Sequence, residues 1–284
     1  MPRLIHRCLM CFCIVSLSIS QLSQADDFNN GVINDVDYSL PSGARVFDSS
    51  TGDTTTLNAL SGADINGLEA NDSSIVNIYN GSQITFDLNA NDTSAVSVFG
   101  GSLINADALN GSLLAISGGT FSGGGGRAVG AFDNAVVNIT GGQFVGATTF
   151  TLLANENSTI NVSGGSIDGE VRSNNDSMIN IWGGTGISDV TAVEHSIMKI
   201  YGLDFSIDSI GAISLDNPFV ISDSTYNGDL LAGTLADGSP ISADIFNGIV
   251  GSQIILVAVP DPASIWLVGS SLIGLIGLRR RHAA

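Results

Sequence analysis

The side chains that could act as nucleophiles or proton-transfer groups are few. Cys8, Cys11 and Cys13 crowd together near the start, His6 and His282 lie near the two ends, and only His195 falls between residues 26 and 258. That stretch can hold neither a thiol nucleophile nor a histidine-based zinc site, and a Ser/His/Asp triad would have to rest on His195 alone. As a lone histidine in a polar turn, His195 reads as an ordinary surface residue. Carboxylates are plentiful, with 27 acidic residues against 9 basic ones. A glycosidase pair could be drawn from so many acids, yet no pair stands out. A lyase acting on uronates needs basic groups gathered at one place, whereas Arg45, Arg127, Arg172 and Lys199 are spread singly along the chain.

Two weaker constellations have a regular spacing. Asn71-Asp72 and Asn91-Asp92 offer hard oxygen ligands of the kind calcium takes, which makes Asp72 and Asp92 candidate calcium ligands, although solvated turns are the more ordinary reading. Glycine-rich calcium nonapeptides do not occur in tandem; Gly164-Gly165-Ser166-Ile167-Asp168 only approaches one. Aromatic residues recur in the same way: Tyr79 with Phe99, and Trp182 with Tyr201. They could stack on sugar rings, or pack against each other across neighbouring repeats. Eight Asn-x-Ser/Thr triplets also occur, as expected from a chain so rich in Asn and Ser.

The common spacing comes from a repeat. A hexad of apolar, polar, apolar, any, Gly or Asn, Gly begins at Val76, Val96, Leu114, Val137, Ile160 and Ile179, with a decayed copy at Met198; the steps are 20, 18, 23, 23, 19 and 19 residues. Most copies follow a turn rich in Asn and Asp, residues that tolerate left-handed backbone. Alternation within Val76-Asn77-Ile78 sends Val and Ile to one face and Asn to the other, so one copy cannot bury its apolar face without neighbours. About 20 residues suffice for one coil of a β-solenoid. The expected architecture is an all-β parallel β-helix of about seven coils, roughly 34 Å long at ~4.8 Å per rung. A β-sandwich is the competing reading, but its strands do not normally repeat one hexad. The sequence divides into an N-terminal cap at 26–64, repeats at 65–207, and further coils with a cap at 208–258, because solenoid ends need cover.

Charge narrows the partners. Residues 26–258 carry 26 acids and 4 bases, a net charge of −22. Such a field repels phosphate backbones, so nucleic-acid binding is excluded. With 44% hydrophobic residues at regular spacing, the chain can bury a continuous core without disulfides.

The two ends differ from this body. Residues 1–25 have the build of a secretory signal: basic Arg3 and Arg7, an apolar run, and small Ser23 and Ala25 placed for signal peptidase to cut after Ala25. At the other end, Val259-Pro260-Asp261-Pro262-Ala263-Ser264 precedes an apolar stretch at 263–278 and then Arg279-Arg280-Arg281. Residues 259–284 resemble the PEP-CTERM sorting signal, with Asp261 where that family usually has Glu. The prolines keep the motif extended, the apolar stretch suits a short transmembrane segment, and the arginines would stay cytoplasmic. The resemblance implies a pause in the inner membrane and cleavage by an exosortase near Pro260 to Pro262. It further implies delivery to the outer surface or biofilm matrix of a Gram-negative cell. The reading that follows is a non-catalytic exported structural protein without a resident cofactor, whose partners are signal peptidase, an exosortase-like protease and extracellular polysaccharide. The alternatives are a secreted carbohydrate-active enzyme and a calcium-dependent adhesin.

Overall fold

A computed structural model describes residues 25–259, apart from 125, 148, 223, 249 and 250. All regular elements among them are β-strands, wound as a β-solenoid of about nine turns. Three parallel sheets run along the solenoid. The first has ten rungs, beginning with Ile33–Val36, Thr56–Ala59 and Ile75–Ile78 and ending with Gln253–Ala258. The second is narrow, two residues wide at Ser39–Leu40 and Thr120–Phe121. The third starts at Asp26–Phe28 and Ala44–Val46 and finishes at Pro240–Asn247.

The hexads stand in register. Val76 pairs with Val96, then Leu114, Val137, Ile160, Ile179 and Met198 follow in one column. Every member of that column is buried, as is the column two residues on, Ile78 through Ile200. Parallel pairing throughout the coils excludes the sandwich. The coil count exceeds the expected seven because weaker copies extend the column at both ends, through Leu57 and Ile254. Residues 26–64, expected as a cap, carry rungs of all three sheets.

Each corner has its own physical cause. Between the first and second sheets, the second glycine of each pair has positive φ, for example +95° at Gly119, where an L side chain would be strained. The first glycine is needed for a different reason. A Cβ at Gly118 would sit 2.4 Å from the carbonyl oxygen of Phe99 in the preceding coil, far inside contact distance.

The corner from the third sheet back to the first uses the polar turns. Asp72, Asp92, Asn110, Asp133, Glu156, Asn175 and Glu194 all have φ between 55° and 62°. Two residues before six of the seven hexads a serine is buried, at Ser74, Ser94, Ser112, Ser158, Ser177 and Ser196, with Ala135 in the seventh and Thr55 and Ser252 extending the column. The Ser158 hydroxyl accepts from the Asn155 N–H at 3.0 Å and donates to the Ala131 carbonyl at 2.9 Å, so it ties its own turn to the coil before. Ser112 and Ser196 repeat both bonds. Outside the first sheet, Asn180, Asn161 and Asn138 form an amide ladder with 2.9 Å bonds.

The parallel winding is interrupted after Ile197–Ile207. Leu230–Leu235 lies antiparallel to that strand and to Pro240–Asn247, and Phe219–Ser222 lies antiparallel to the last rung. Phe205 is fully buried here, with Gly202 and Gly233 making room for its ring. These antiparallel strands cover one end of the solenoid. Among the described residues, no helix is long and apolar enough to cross a membrane. The expected membrane stretch at 263–278 lies outside the described residues.

Candidate functional site: the outer face of the third sheet

The candidate residues read from sequence fall at scattered places on the solenoid. Asp72 and Asp92 stand in successive left-handed turns, and the Asp92 carboxylate accepts from the Asp72 N–H at 3.3 Å. Among the described residues, no group of three or more His, Cys, Asp and Glu side chains is placed to hold a metal ion. His195 sits in the equivalent turn of a later coil with φ +65°.

Tyr79 and Phe99 are stacked with ring centroids 5.3 Å apart, and Trp182 and Tyr201 at 4.7 Å. Each pair is a cross-coil contact that supports adjacent rungs, with the outer face of Phe99 still about half exposed. Between the pairs the same column holds Ser117, Thr140 and Ser163, whose hydroxyls bond carbonyls of the preceding coil. Ala25 and Val259 lie at the two limits of the described chain, and Val259 donates its N–H to the Gly202 carbonyl at 3.2 Å. Ser23, Pro260, Asp261, Pro262, Ala263, Arg279, Arg280 and Arg281 lie outside the described residues.

Three of the four basic groups scattered in sequence converge on the third sheet, while Lys199 stands on the first. Arg45, Glu69, Asn89, Asp107, Gly130, Leu153, Arg172, Thr191 and Phe246 occupy one register column along its outer face. Arg127 lies on the same sheet, three residues before Gly130 in its strand. All three arginines among the described residues reach this face, Arg127 through its bonds to Asp107 of the column.

The three arginines are also held in the same way. Each has a carboxylate partner and an aromatic ring. Arg45 meets Asp27 at 2.8 Å and lies over Phe47 at 5.8 Å; Arg172 lies 3.8 Å from Glu170 and 4.9 Å over Phe150. Arg127 is held most firmly, with both Asp107 oxygens at 2.8 and 2.5 Å and the Phe132 ring at 4.8 Å. The Asp107 hydrogen bond holds the Arg127 guanidinium above its usual pKa, against the opposing effect of burial, and Asp107 and Asp87 add attraction. Gly130 leaves the space this pair needs, because a Cβ there would meet Asp107, Phe132 and Arg127 together.

Two grooves open on this face. The first, of about 370 Å³, is bounded by Arg45, Asn66, Glu69, Phe86, Asp87 and Asn89. Its floor is the glycine corner at Gly43 and Gly67; a Cβ at Gly43 would lie 2.6 Å from the Asn66 carbonyl oxygen. One coil later Phe86 follows the second sheet, and its ring is 61% exposed. The second groove, of about 390 Å³, lies between Glu170, Arg172, Thr191, Asn227 and Phe246. Asn227 is fixed there because its side-chain oxygen accepts from the Asn247 N–H at 2.5 Å.

The sequence reading missed this face. Its signal was present, since Arg45 and Glu69 each stand two residues after a small corner glycine, but unequal coil lengths hid the alignment. Pinned guanidinium groups, free carboxylates, amides and exposed rings can together hydrogen-bond hydroxyl groups and stack on apolar ring faces. No family model matches the chain, and no curated protein or solved structure matches it significantly.

Proposed function

We propose that the chain is an exported, non-catalytic structural protein of the cell surface or biofilm matrix, an acidic β-solenoid rod released by an exosortase-type protease. One observation carries the reading: the folded body fits the interval between the two expected processing sites. Among the described residues the first strand begins at Asp26, directly after the expected cut at Ala25, and the last ends at Ala258, two residues before Pro260. Pro260 and Pro262 lack the N–H that a β-ladder needs, which suits a motif that a protease must reach. Processing at both sites would thus leave the solenoid whole. The −22 charge of residues 26–258 keeps such a rod soluble and dispersed outside the cell.

The test is the intact mass and location of the protein in its own host, for the unaltered chain and for Pro260→Ala/Pro262→Ala. The expected result is an unaltered chain outside the inner membrane, lacking both ends, and a variant held at the membrane with its C-terminal arginines. An unaltered chain that keeps Arg279 to Arg281 at the inner membrane would make the tail a plain anchor and overturn the proposal.

A further inference from the structure

We infer that the outer face of the third sheet is a binding site for a neutral glycan chain lying along the solenoid axis, with the two grooves as its subsites. The inference deepens the matrix reading by giving the partner's chemistry, but its test on purified protein does not depend on how the chain is sorted.

The argument begins with the likeness of the two grooves. The first offers Arg45, Glu69, two asparagines and Phe86, and the second offers Arg172, Glu170, Asn227 and Phe246. Two separate depressions with the same chemical parts, each built around an arginine of one register column, suit a ligand with repeating units. Arg45 and Arg172 are six rungs apart, roughly 29 Å at ~4.8 Å per rung. A chain molecule running parallel to the axis could therefore occupy both.

The parts favour a sugar over other repeating ligands. Sugars present an apolar C–H face, which stacks on an aromatic ring, and a rim of hydroxyl groups that donate to carboxylates and accept from guanidinium and amide groups. Phe86 and Phe246 are 61% and 40% exposed, so both rings have a free face. Glu69 and Asp87 are exposed acceptors beside one of them. The arginines are restrained beforehand by a carboxylate and a ring, which lowers the entropy lost when a ligand is bound.

Charge selects a neutral glycan over an anionic one. Each arginine charge is already balanced by Asp27, Asp107 or Glu170, and the surrounding body is strongly negative. A polyuronate or sulfated chain would find no net positive patch to offset that field.

The experiment measures binding of the full chain, purified from its host whether released or membrane-held, to neutral oligosaccharides of glucose, xylose and mannose from disaccharide to octasaccharide, with oligogalacturonates as the anionic series. Phe86→Ala and Phe246→Ala remove exposed rings and leave the buried core alone. Tyr79→Ala is the control on the other aromatic column. The expected result is binding of at least one neutral series that strengthens with length. Each third-sheet variant should weaken the octasaccharide by about tenfold or more, the double variant should lose the length dependence, and Tyr79→Ala should match the unaltered chain. The inference is overturned if no neutral octasaccharide binds more tightly than about 1 mM. Preference for the anionic series, or loss of binding in Tyr79→Ala with none in Phe86→Ala, would overturn it equally.

Discussion

The first and third sheets are wound by the same turns yet are built on opposite principles. Along the first sheet most rungs repeat: apolar residues inside, usually Asn or another small polar residue outside, serine at the entry and glycine at the exit, with Ala115, Lys199 and Ile255 as outer exceptions and Ala135 as one at the entry. Along the third sheet the inner column is also apolar, Leu68 to Leu88, Ala106, Val129, Leu152, Val171, Val190 and Ile245, but the outer column changes at almost every rung. Burial constrains the inside of both sheets alike, whereas only the outside of the third has been freed from repetition. Variation on a surface that the fold would allow to be uniform is where ligand chemistry can be placed.

The comparison is tested most severely by the inner column of the first sheet. Ile160→Ala should destabilise the solenoid by about 2–5 kcal/mol, because Ile160 is fully buried and its neighbours Val137 and Ile179 leave the void unfilled. The check is the midpoint of urea unfolding. Because repeat proteins can unfold in parts, a midpoint shift confined to one transition would locate the coils that depend on Ile160. A shift smaller than that of any third-sheet variant would break the proposed division between the two sheets.

Next in size is the ion pair that crosses the third sheet. Asp107→Asn removes the charge that faces Arg127 while keeping shape, and about 1–3 kcal/mol should be lost. The Asp107 side chain is only 9% exposed, so water cannot fully replace it, but Arg127 at 29% keeps some solvent, which moderates the cost. The same unfolding measurement checks it. The pH sense is fixed by the raised pKa of Arg127: its contribution is fully present below the ordinary arginine range and is lost only as pH rises through the higher folded value. Alkaline titration of Asp107→Asn against the unaltered chain, up to pH values where arginine stays charged, should show a constant difference.

How far the sequence reveals each sheet follows the same division. The hexad made the first sheet readable, down to the register of Val76 through Met198, because each coil must satisfy the same burial and the same corner. Two rungs were missed upstream because their corners lack the Gly-Gly pair: Leu57-Asn58-Ala59 is followed by Leu60-Ser61-Gly62. The buried serines were visible two residues before six of the seven hexads but were indistinguishable from the solvated Asn and Asp of the same turns, since burial of a hydroxyl depends on the coil before it. Arg45, Arg127 and Arg172 could not be aligned from sequence. The coils between them differ in length, with extra residues at 122–126 and 145–149, so separation along the chain does not convert to position on the face. The grooves depend on where the glycine corners stop, which no hexad records.

The smallest effects are the sharpest, because they separate members of one column. Ser158 makes two hydrogen bonds, one within its own turn and one to the preceding coil, whereas the Ser94 hydroxyl is buried without a partner among the described residues. Ser158→Ala should therefore cost about 0.5–1.5 kcal/mol, because both hydroxyl bonds are lost while the Asn155 N–H and the Ala131 carbonyl keep their 2.9 Å bond to each other. Ser94→Ala should be close to neutral, because an unmade hydrogen bond is not lost and a buried hydroxyl without a partner is itself unfavourable. Ala135 already occupies the equivalent place in one coil, so the column tolerates a methyl group where the corner is otherwise satisfied. Equal costs for the two serines would mean that the column is held by packing volume rather than by the bonds between coils. A difference of about 1 kcal/mol or more, read from the urea midpoints of the two variants, would place the stability of this corner in the hydrogen bonds themselves.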